Sequence, residues 1–450
     1  MANKDAGNGV VRGRRSSVAD LHVDESDILN ISDIMGDAGW YAKDRMEAFK
    51  VYKDTPMPSL EDEAWRRTDI SGVDWEKFSK AIRDNDVDNM AEVPEYLLNP
   101  LVGDRQGGQI VVSGRKVLQS SLADEASSKG VIFTDFVSAT QNHGELFSGY
   151  VSKLVSISDG KHASMAGAMV DQGIFVYVPA GIQVEMPLHS VLWLNRIANF
   201  TRVVIAVEKG GSLTYVHEIS SSDEGSEQLH AGTVEVFVGD NAELKFVEMQ
   251  SLGENCYHFS HEKSQVGRDA RLDWVFSAIG SKLTKSFLDL DLVGNGAWGR
   301  MSGFYFAAGK QHMDHDTQQN HRAEGQTSDL LFKGALRDGS RSVWQGMINV
   351  EPGAQKTDGF QANRNLLLAK EARADSIPGL EIQADDVRCT HAATISKLEE
   401  EHLFYLMSRG IHLEEARKVV VDGFFDPIME RIPFEGVRER LKSSVVDKMA

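Results

Sequence analysis

Gly211-Ser212-Leu213-Thr214-Tyr215-Val216, Ala242-Glu243-Leu244-Lys245-Phe246-Val247 and Ala270-Arg271-Leu272-Asp273-Trp274-Val275 are three versions of one phrase. Each reads small residue, polar, Leu, polar, aromatic, Val, and the leucines lie 31 and then 28 residues apart. Alternation of Leu and aromatic with polar residues is the signature of a strand with one buried face. Turn signals agree: Gly210-Gly211, Gly239-Asp240 and Gly267-Arg268-Asp269 fall at or just before the start of each unit. Self-similarity at this spacing predicts stacked units that bury their apolar faces on one another. From about Met169 onward short strand-like runs follow with no helical stretch between them, and the wording of the repeat fades after Gly299. The expectation is a mainly β chain whose core, residues 151–395, is a β-solenoid rather than a sandwich.

On the N-terminal side, residues 1–25 are rich in Gly, Ser and charge and read as a flexible tail. Residues 26–150 read as a mixed, mostly helical domain. Trp40, Met46, Phe49 and Val51 give Asp37–Tyr52 a helical period that Pro56 and Pro58 stop. On the C-terminal side, Val387–Ile395 returns to strand composition, with Cys389 and His391 two apart and therefore on one strand face. Ser396 then reads as a helix start, with Glu399 completing a capping box and Leu398, Leu403, Leu406 and Met407 forming the apolar face. A second helix over Leu413–Val421 should end at Gly423, and a last one should run from Val437 to Met449. Residues 396–450 are thus expected to form a helical domain over the open end of the solenoid.

The formal charge of −19 over 450 residues argues against nucleic acid and anionic membrane as main partners. Two cysteines, Cys256 and Cys389, do not make a disulfide framework, which favours a reducing, cytoplasmic setting. No apolar run approaches the ~20 residues that a membrane helix requires. Met1–Ser17 holds Arg12, Arg14 and Arg15 but no apolar stretch, so it is not a secretory signal.

Cys389 and His391 are the foremost candidates for chemistry, because thiolate and imidazole are ligands for iron and for iron–sulfur clusters. The competing reading is a Cys packed as a small hydrophobe beside a structural His. His312, Asp314 and His321 are weaker metal candidates. Here a polar ladder along one solenoid face is the preferred reading. Cys256 reads as structural. Gly294-Asn295-Gly296-Ala297-Trp298-Gly299 matches a dinucleotide-binding pattern literally, yet no helix pattern follows it, so it is rejected. Neither Gly160-Lys161-His162 nor Gly309-Lys310-Gln311 continues as a phosphate-binding loop, so no nucleotide-binding residue is assigned.

Several of these segments carry a resemblance. Leu380-Glu381-Ile382, Ala384-Asp385-Asp386-Val387, Cys389-x-His391 and Leu403-Phe404-Tyr405-Leu406-x-Ser408-Arg409-Gly410 together resemble the C-terminal signature of the SufB/SufD family, nearest its SufD branch. That family comprises iron–sulfur cluster assembly scaffolds. Trp65-Arg66-Arg67-Thr68-Asp69 and the His-x-Asp…His segment at 312–321 are similar to family segments too, and the likeness spans roughly Glu63 to Phe425.

The resemblance implies a right-handed parallel β-helix and a non-catalytic scaffold that works with SufB and the ATPase SufC. It implies that the C-terminal helices around Leu403, Leu406 and Met407 dock SufC. It further implies that the β-helix pairs with SufB, and that a transient Fe–S cluster or iron passes the junction near Cys389 and His391. No permanently bound cofactor is implied, and flavin is left open. Fe–S clusters usually take about four protein ligands. Two cysteines 133 residues apart cannot supply them unaided, so either His and carboxylates complete the set or a partner does; a labile site shared at a subunit interface fits a scaffold better. Many relatives have Gly where this chain has Ala392, and SufB-like chains typically have Glu there and more cysteines. The alternatives are therefore the paralogous scaffold SufB, or a β-helix carbohydrate-active enzyme using Asp314 and Asp316.

Overall fold

The three leucines of the repeat stand one above another: Leu213 is in register with Leu244, and Leu244 with Leu272. The aromatic positions follow, with Tyr215 stacked on Phe246 at 5.7 Å and Phe246 against Trp274 at 5.6 Å. The computed structural model that shows this describes residues 20–85, 92–99, 101 and 106–449. The tail expected at 1–25 lies outside the described residues as far as residue 19.

Three strands come from the N-terminal region: β1 (Gly108–Ser113), β2 (Lys116–Leu122) and β3 (Ile132–Asp135). The chain then alternates between two parallel sheets. One holds β4 (Gln172–Val178), β6 (Ala198–Val207), β8 (Gln228–Val238), β10 (Cys256–Val266), β12 (Leu283–Leu292), β14 (His312–His321), β16 (Arg341–Val350) and β18 (Arg373–Ile382). The other holds β5 (Leu188–Leu194), β7 (Ser212–Ser221), β9 (Glu243–Ser251), β11 (Arg271–Ala278), β13 (Trp298–Ala307), β15 (Thr327–Leu336), β17 (Asp358–Leu367) and β19 (Arg388–Lys397). Two strands per coil over about 8 turns make the expected β-solenoid. At the N-terminal end β1 pairs parallel with β5, while β2 and β3 add antiparallel edges. Residues 26–150 thus contribute strands to the solenoid as well as helices.

One row of turns shows why the coils stack where the sequence repeat has faded. Gly181, Gly210, Asn241, Asp269, Gly296, Gly325 and Lys356 each adopt positive φ between the two sheets. Each donates its backbone N–H to a carbonyl in the next coil's turn: Gly181 to Lys209, Gly210 to Asp240, Asn241 to Arg268, Asp269 to Asn295, Gly296 to Glu324, Gly325 to Gln355 and Lys356 to Asp386, at 2.6–3.0 Å. The dinucleotide-like Gly294–Gly299 is one rung of this ladder. A Cβ on Gly294 would stand 2.0 Å from the Arg268 nitrogen, so glycine is needed there for close backbone approach.

Helices cover both outer faces. Glu25–Met35, Gly39–Asp54, Trp75–Arg83 and Lys161–Met169 lie on the β6–β8–β10 side, where Tyr41, Phe49, Trp75 and Met165 join Phe200, Leu229 and Phe259 in one core. Arg45 is fully buried there, with Asp37 at 2.7 Å and the carbonyls of Ala168 and Val170 at 3.0 and 2.9 Å satisfying its guanidinium.

The C-terminal helices, Glu400–Ser408, Leu413–Met429 and Glu435–Met449, depart from expectation in three ways. The latter two lie along the outer flank of the other sheet rather than over the solenoid end, burying Val421, Phe425 and Ile428 against Val247, Phe304 and Phe306. Leu413–Met429 runs through Gly423 and Pro427, because the packing of Phe425, Ile428 and Met429 outweighs the local breakers. Ser396 is still in β19, paired with Leu366, and the first of these helices begins at Glu400 with no side-chain cap.

Candidate functional site

β19 is the outermost strand of its sheet, and this position defines the site. Cys389 pairs in register with Gly359 and His391 with Gln361. In β17 those two positions are buried and face the solenoid interior. No coil follows β19 among the described residues, so its interior-facing side chains lie at the open end: Cys389 is half-buried and His391 exposed. The same holds for Ile395 on β19 and for Leu380 and Ile382 on β18, the outermost strand of the second sheet, which are 46, 36 and 41% exposed. This end therefore presents two unpaired strand edges, an apolar patch, a thiol and an imidazole.

Gly359 gives the thiol its space, since a Cβ there would stand 3.2 Å from Cys389 Sγ. The sulfur packs against a small cluster of Ile348, Val350, Ala354 and Ala384. Burial pushes the thiol pKa up, the backbone N–H of Gly359 partly offsets this, and the Asp358 carboxylate adds to the rise. Cys389 is a neutral thiol at pH 7 until a cation or a base draws off its proton. Cys256 is fully buried with its pKa raised by burial alone, in keeping with a structural role.

The residues of 312–321 do not converge. His312 and Asp314 face outward from β14, whereas His321 faces the interior and bonds Ser328 at 2.8 Å. Nine positions of alternating strand separate His312 from His321, which puts them on opposite faces. The metal reading of His312, Asp314 and His321 is corrected accordingly. No group of three or more His, Cys, Asp or Glu that could hold a metal ion exists among the described residues.

Asp314 instead belongs to a buried latch. Lys285 is fully buried between Asp314 at 3.0 Å and Asp316 at 2.8 Å. Thr68 donates its hydroxyl to Asp314 and lies 2.8 Å from His312 Nε2. Trp65 packs beside it on Phe259 and Phe287. Burial pushes Asp314 up to about 6 against the pull of Lys285, and burial with Arg341 and Lys285 draws His312 down to about 4. Two carboxylates locked onto one lysine beneath the N-terminal segment are unavailable as a hydrolase pair.

On the helix Glu400–Ser408, Leu403 and Leu406 are half-buried and Met407 is 46% exposed. The most exposed apolar side chains there are Phe404 and Tyr405, at 73 and 58%. Helical periodicity did not single them out, because they lie off the stripe that faces the neighbouring helix.

Two family models match this chain. The SufBD core domain of the SUF system for FeS cluster assembly covers residues 194–424, and the SufBD N-terminal region covers 35–189. The chain belongs to the SufB/SufD family. SufD of Bacillus subtilis is 29% identical over 437 residues, which is 95% of this chain and 98% of that protein. SufBD family proteins of Staphylococcus saprophyticus and Staphylococcus epidermidis are 29% and 28% identical, each over 91% of this chain and 90% of their own length. The function of this SufB/SufD family member is iron–sulfur cluster assembly. Among its described residues no helix is long and apolar enough to cross a membrane.

Proposed function

We propose that this chain is a SufD-like, non-catalytic cytoplasmic scaffold whose open solenoid end pairs with SufB, with ATP hydrolysis supplied by SufC. The observation that carries the reading is the uncovered last coil. β18 and β19 offer free backbone N–H and C=O groups beside exposed Leu380, Ile382 and Ile395, and such edges invite strand addition by a partner. A paralogous solenoid presenting the same edges would bury that patch and complete a shared chamber around Cys389 and His391. The nascent cluster is cargo there. A thiol that gives up its proton and an exposed imidazole can ligate iron, with sulfide held through the iron, only when the partner adds ligands, which suits release as well as capture. Phe404, Tyr405 and Met407, standing free of the flank, are the docking surface for SufC.

The test is His391→Ala and Cys389→Ser in cells that depend on this scaffold. Because His391 is exposed, its loss should leave melting temperature and SufB–SufC co-purification unchanged while cluster-dependent enzyme activity collapses. Unimpaired cluster assembly with His391→Ala would overturn the site. Phe404→Ser with Tyr405→Ser should abolish SufC co-purification alone. Substitution is preferable to truncation, since removing the C-terminal helices would uncover Val247, Phe304 and Phe306.

A further inference from the structure

Beside the Thr68 latch a cavity of about 360 Å³ opens between the N-terminal segment and the outer face of β12, β14 and β16. Its volume falls in the range of small-molecule sites. Its charged and polar lining is Arg66, Arg67, Arg341, Asp69 and His312. Three guanidinium groups line it, and with Arg341 paired to Asp375 the remaining two against the Asp69 carboxylate make it electropositive in a chain of net charge −19. Neither the Arg66 nor the Arg67 guanidinium makes a hydrogen bond or ion pair among the described residues, and the Asp316 carboxylate that feels Arg67 is already held by Lys285. Arg341 is fixed by Asp375 at 2.9 Å, yet its Nε is buried without a partner. Asp69 turns away part of its charge by accepting the Ser71 backbone N–H at 2.9 Å.

The latch also sets the His312 tautomer. Thr68 spends its hydroxyl proton on Asp314, so its oxygen accepts from His312 Nε2–H and leaves Nδ1 as an acceptor. A wall with arginine forks and one imidazole acceptor matches a tetrahedral polyanion that still carries a proton. Planar guanidinium groups bind phosphate oxygens in bidentate fashion, and an unprotonated ring nitrogen takes the hydroxyl of a partly protonated one. A carboxylate ligand would satisfy one of the two unpaired guanidinium groups, Arg66 and Arg67, and leave the other uncompensated. A divalent cation would be repelled.

We propose that this cavity is a binding site for a small phosphate-bearing ligand, specifically its diphosphate group. The site does not depend on any cluster passing the open solenoid end, which it meets only through the Arg341–Asp375 pair to β18. Its floor is rigid, held by the Lys285 latch and by Trp65.

The experiment uses the full-length chain and inorganic pyrophosphate, followed by titration calorimetry and ³¹P line broadening at low salt. Saturable binding at one site per chain is expected, with orthophosphate weaker and sulfate at equal ionic strength weaker still. Arg66→Gln with Arg67→Gln, both near the surface, should weaken pyrophosphate by at least about tenfold. Asp69→Asn should tighten it several-fold, and Arg268→Gln, an exposed arginine on a distant turn, should change nothing. Circular dichroism confirms that each variant is folded. The proposal is overturned if pyrophosphate gives no saturable signal, or if sulfate matches it. Equal weakening by Arg268→Gln, or unchanged affinity in the Arg66/Arg67 variant, would also overturn it.

Discussion

Replacing Lys285 with Met tests whether the buried latch is held by charge or by shape. Lys285 is 0% exposed, with Asp314 (0%) at 3.0 Å and Asp316 (13%) at 2.8 Å. Its ammonium also lies 4.9 Å from the Phe287 ring and 5.8 Å from Trp65, so a Met side chain of similar length meets an apolar wall and opens little cavity. What Met cannot do is balance two buried carboxylates. Removing one partner of a buried ion pair costs about 3–5 kcal/mol. Unfolding entropy of about 2.1 cal/mol/K per residue over 450 residues gives roughly 0.95 kcal/mol/K, so the melting temperature should fall by about 3–5 °C at neutral pH if the chain unfolds as one unit. The pH dependence carries the decision. Without the cation, the folded-state pKa values of Asp314 and Asp316 rise further above their unfolded values. A carboxyl so raised destabilises fully above its folded pKa, and the penalty fades as pH falls through that value towards the unfolded one. Asp314 already stands at about 6 beside its lysine. The deficit of Lys285→Met relative to the parent should therefore be largest at pH 8 and shrink markedly at pH 5, and adding Asp314→Asn should recover part of it. Differential scanning calorimetry at both pH values measures this. An equal deficit at pH 5 and pH 8 would refute the charge argument and leave packing as the cause.

Two further expectations rest on local geometry. The folded chain should show one slowly reacting thiol, Cys389, at pH 7.5 and two in denaturant, because Cys256 is sealed and burial keeps Cys389 protonated; reaction of both at equal rates in the native state would contradict the burial. Gly280→Ala should abolish soluble expression, since its Cβ would stand 1.7 Å from the Leu252 carbonyl oxygen, whereas Gly309→Ala meets nothing within 4 Å and should cost only the left-handed backbone penalty of about 1–2 kcal/mol. Comparable melting curves for the two variants would undo that distinction.

What the sequence made legible follows the physics of each element. Leu213, Leu244 and Leu272 could be read because identical core positions recur. Beyond them Leu272 stacks on Gly299 and Trp274 on Met301, so the interior changes identity while the backbone ladder continues. The continuity is carried by single left-handed residues at the turns, which may be Gly, Asn, Asp or Lys and leave almost no pattern to detect. Parity alone places Cys389 with His391 on one face and divides His312 from His321. Exposure of Cys389 and His391 is different, because it depends on no further coil lying over β19, which no local window contains. Ser396 and Glu399 form a sound local helix-start signal that lost to strand pairing with β17.

The position of the C-terminal helices was in principle readable from the opening phrase itself. Its sixth residue, Val216, Val247 or Val275, lies on the opposite strand face from the Leu and the aromatic, and these valines are in register along the sheet. A strand with an apolar row on each face has to be covered on both sides. The solenoid interior buries one row. The other needs an external layer, which Val421, Phe425, Ile428, Val437 and Leu441 supply. Helices committed to that flank cannot also close the end of the solenoid. The same valines that hold them there thus leave β18 and β19 uncovered, with Cys389 and His391 at the opening.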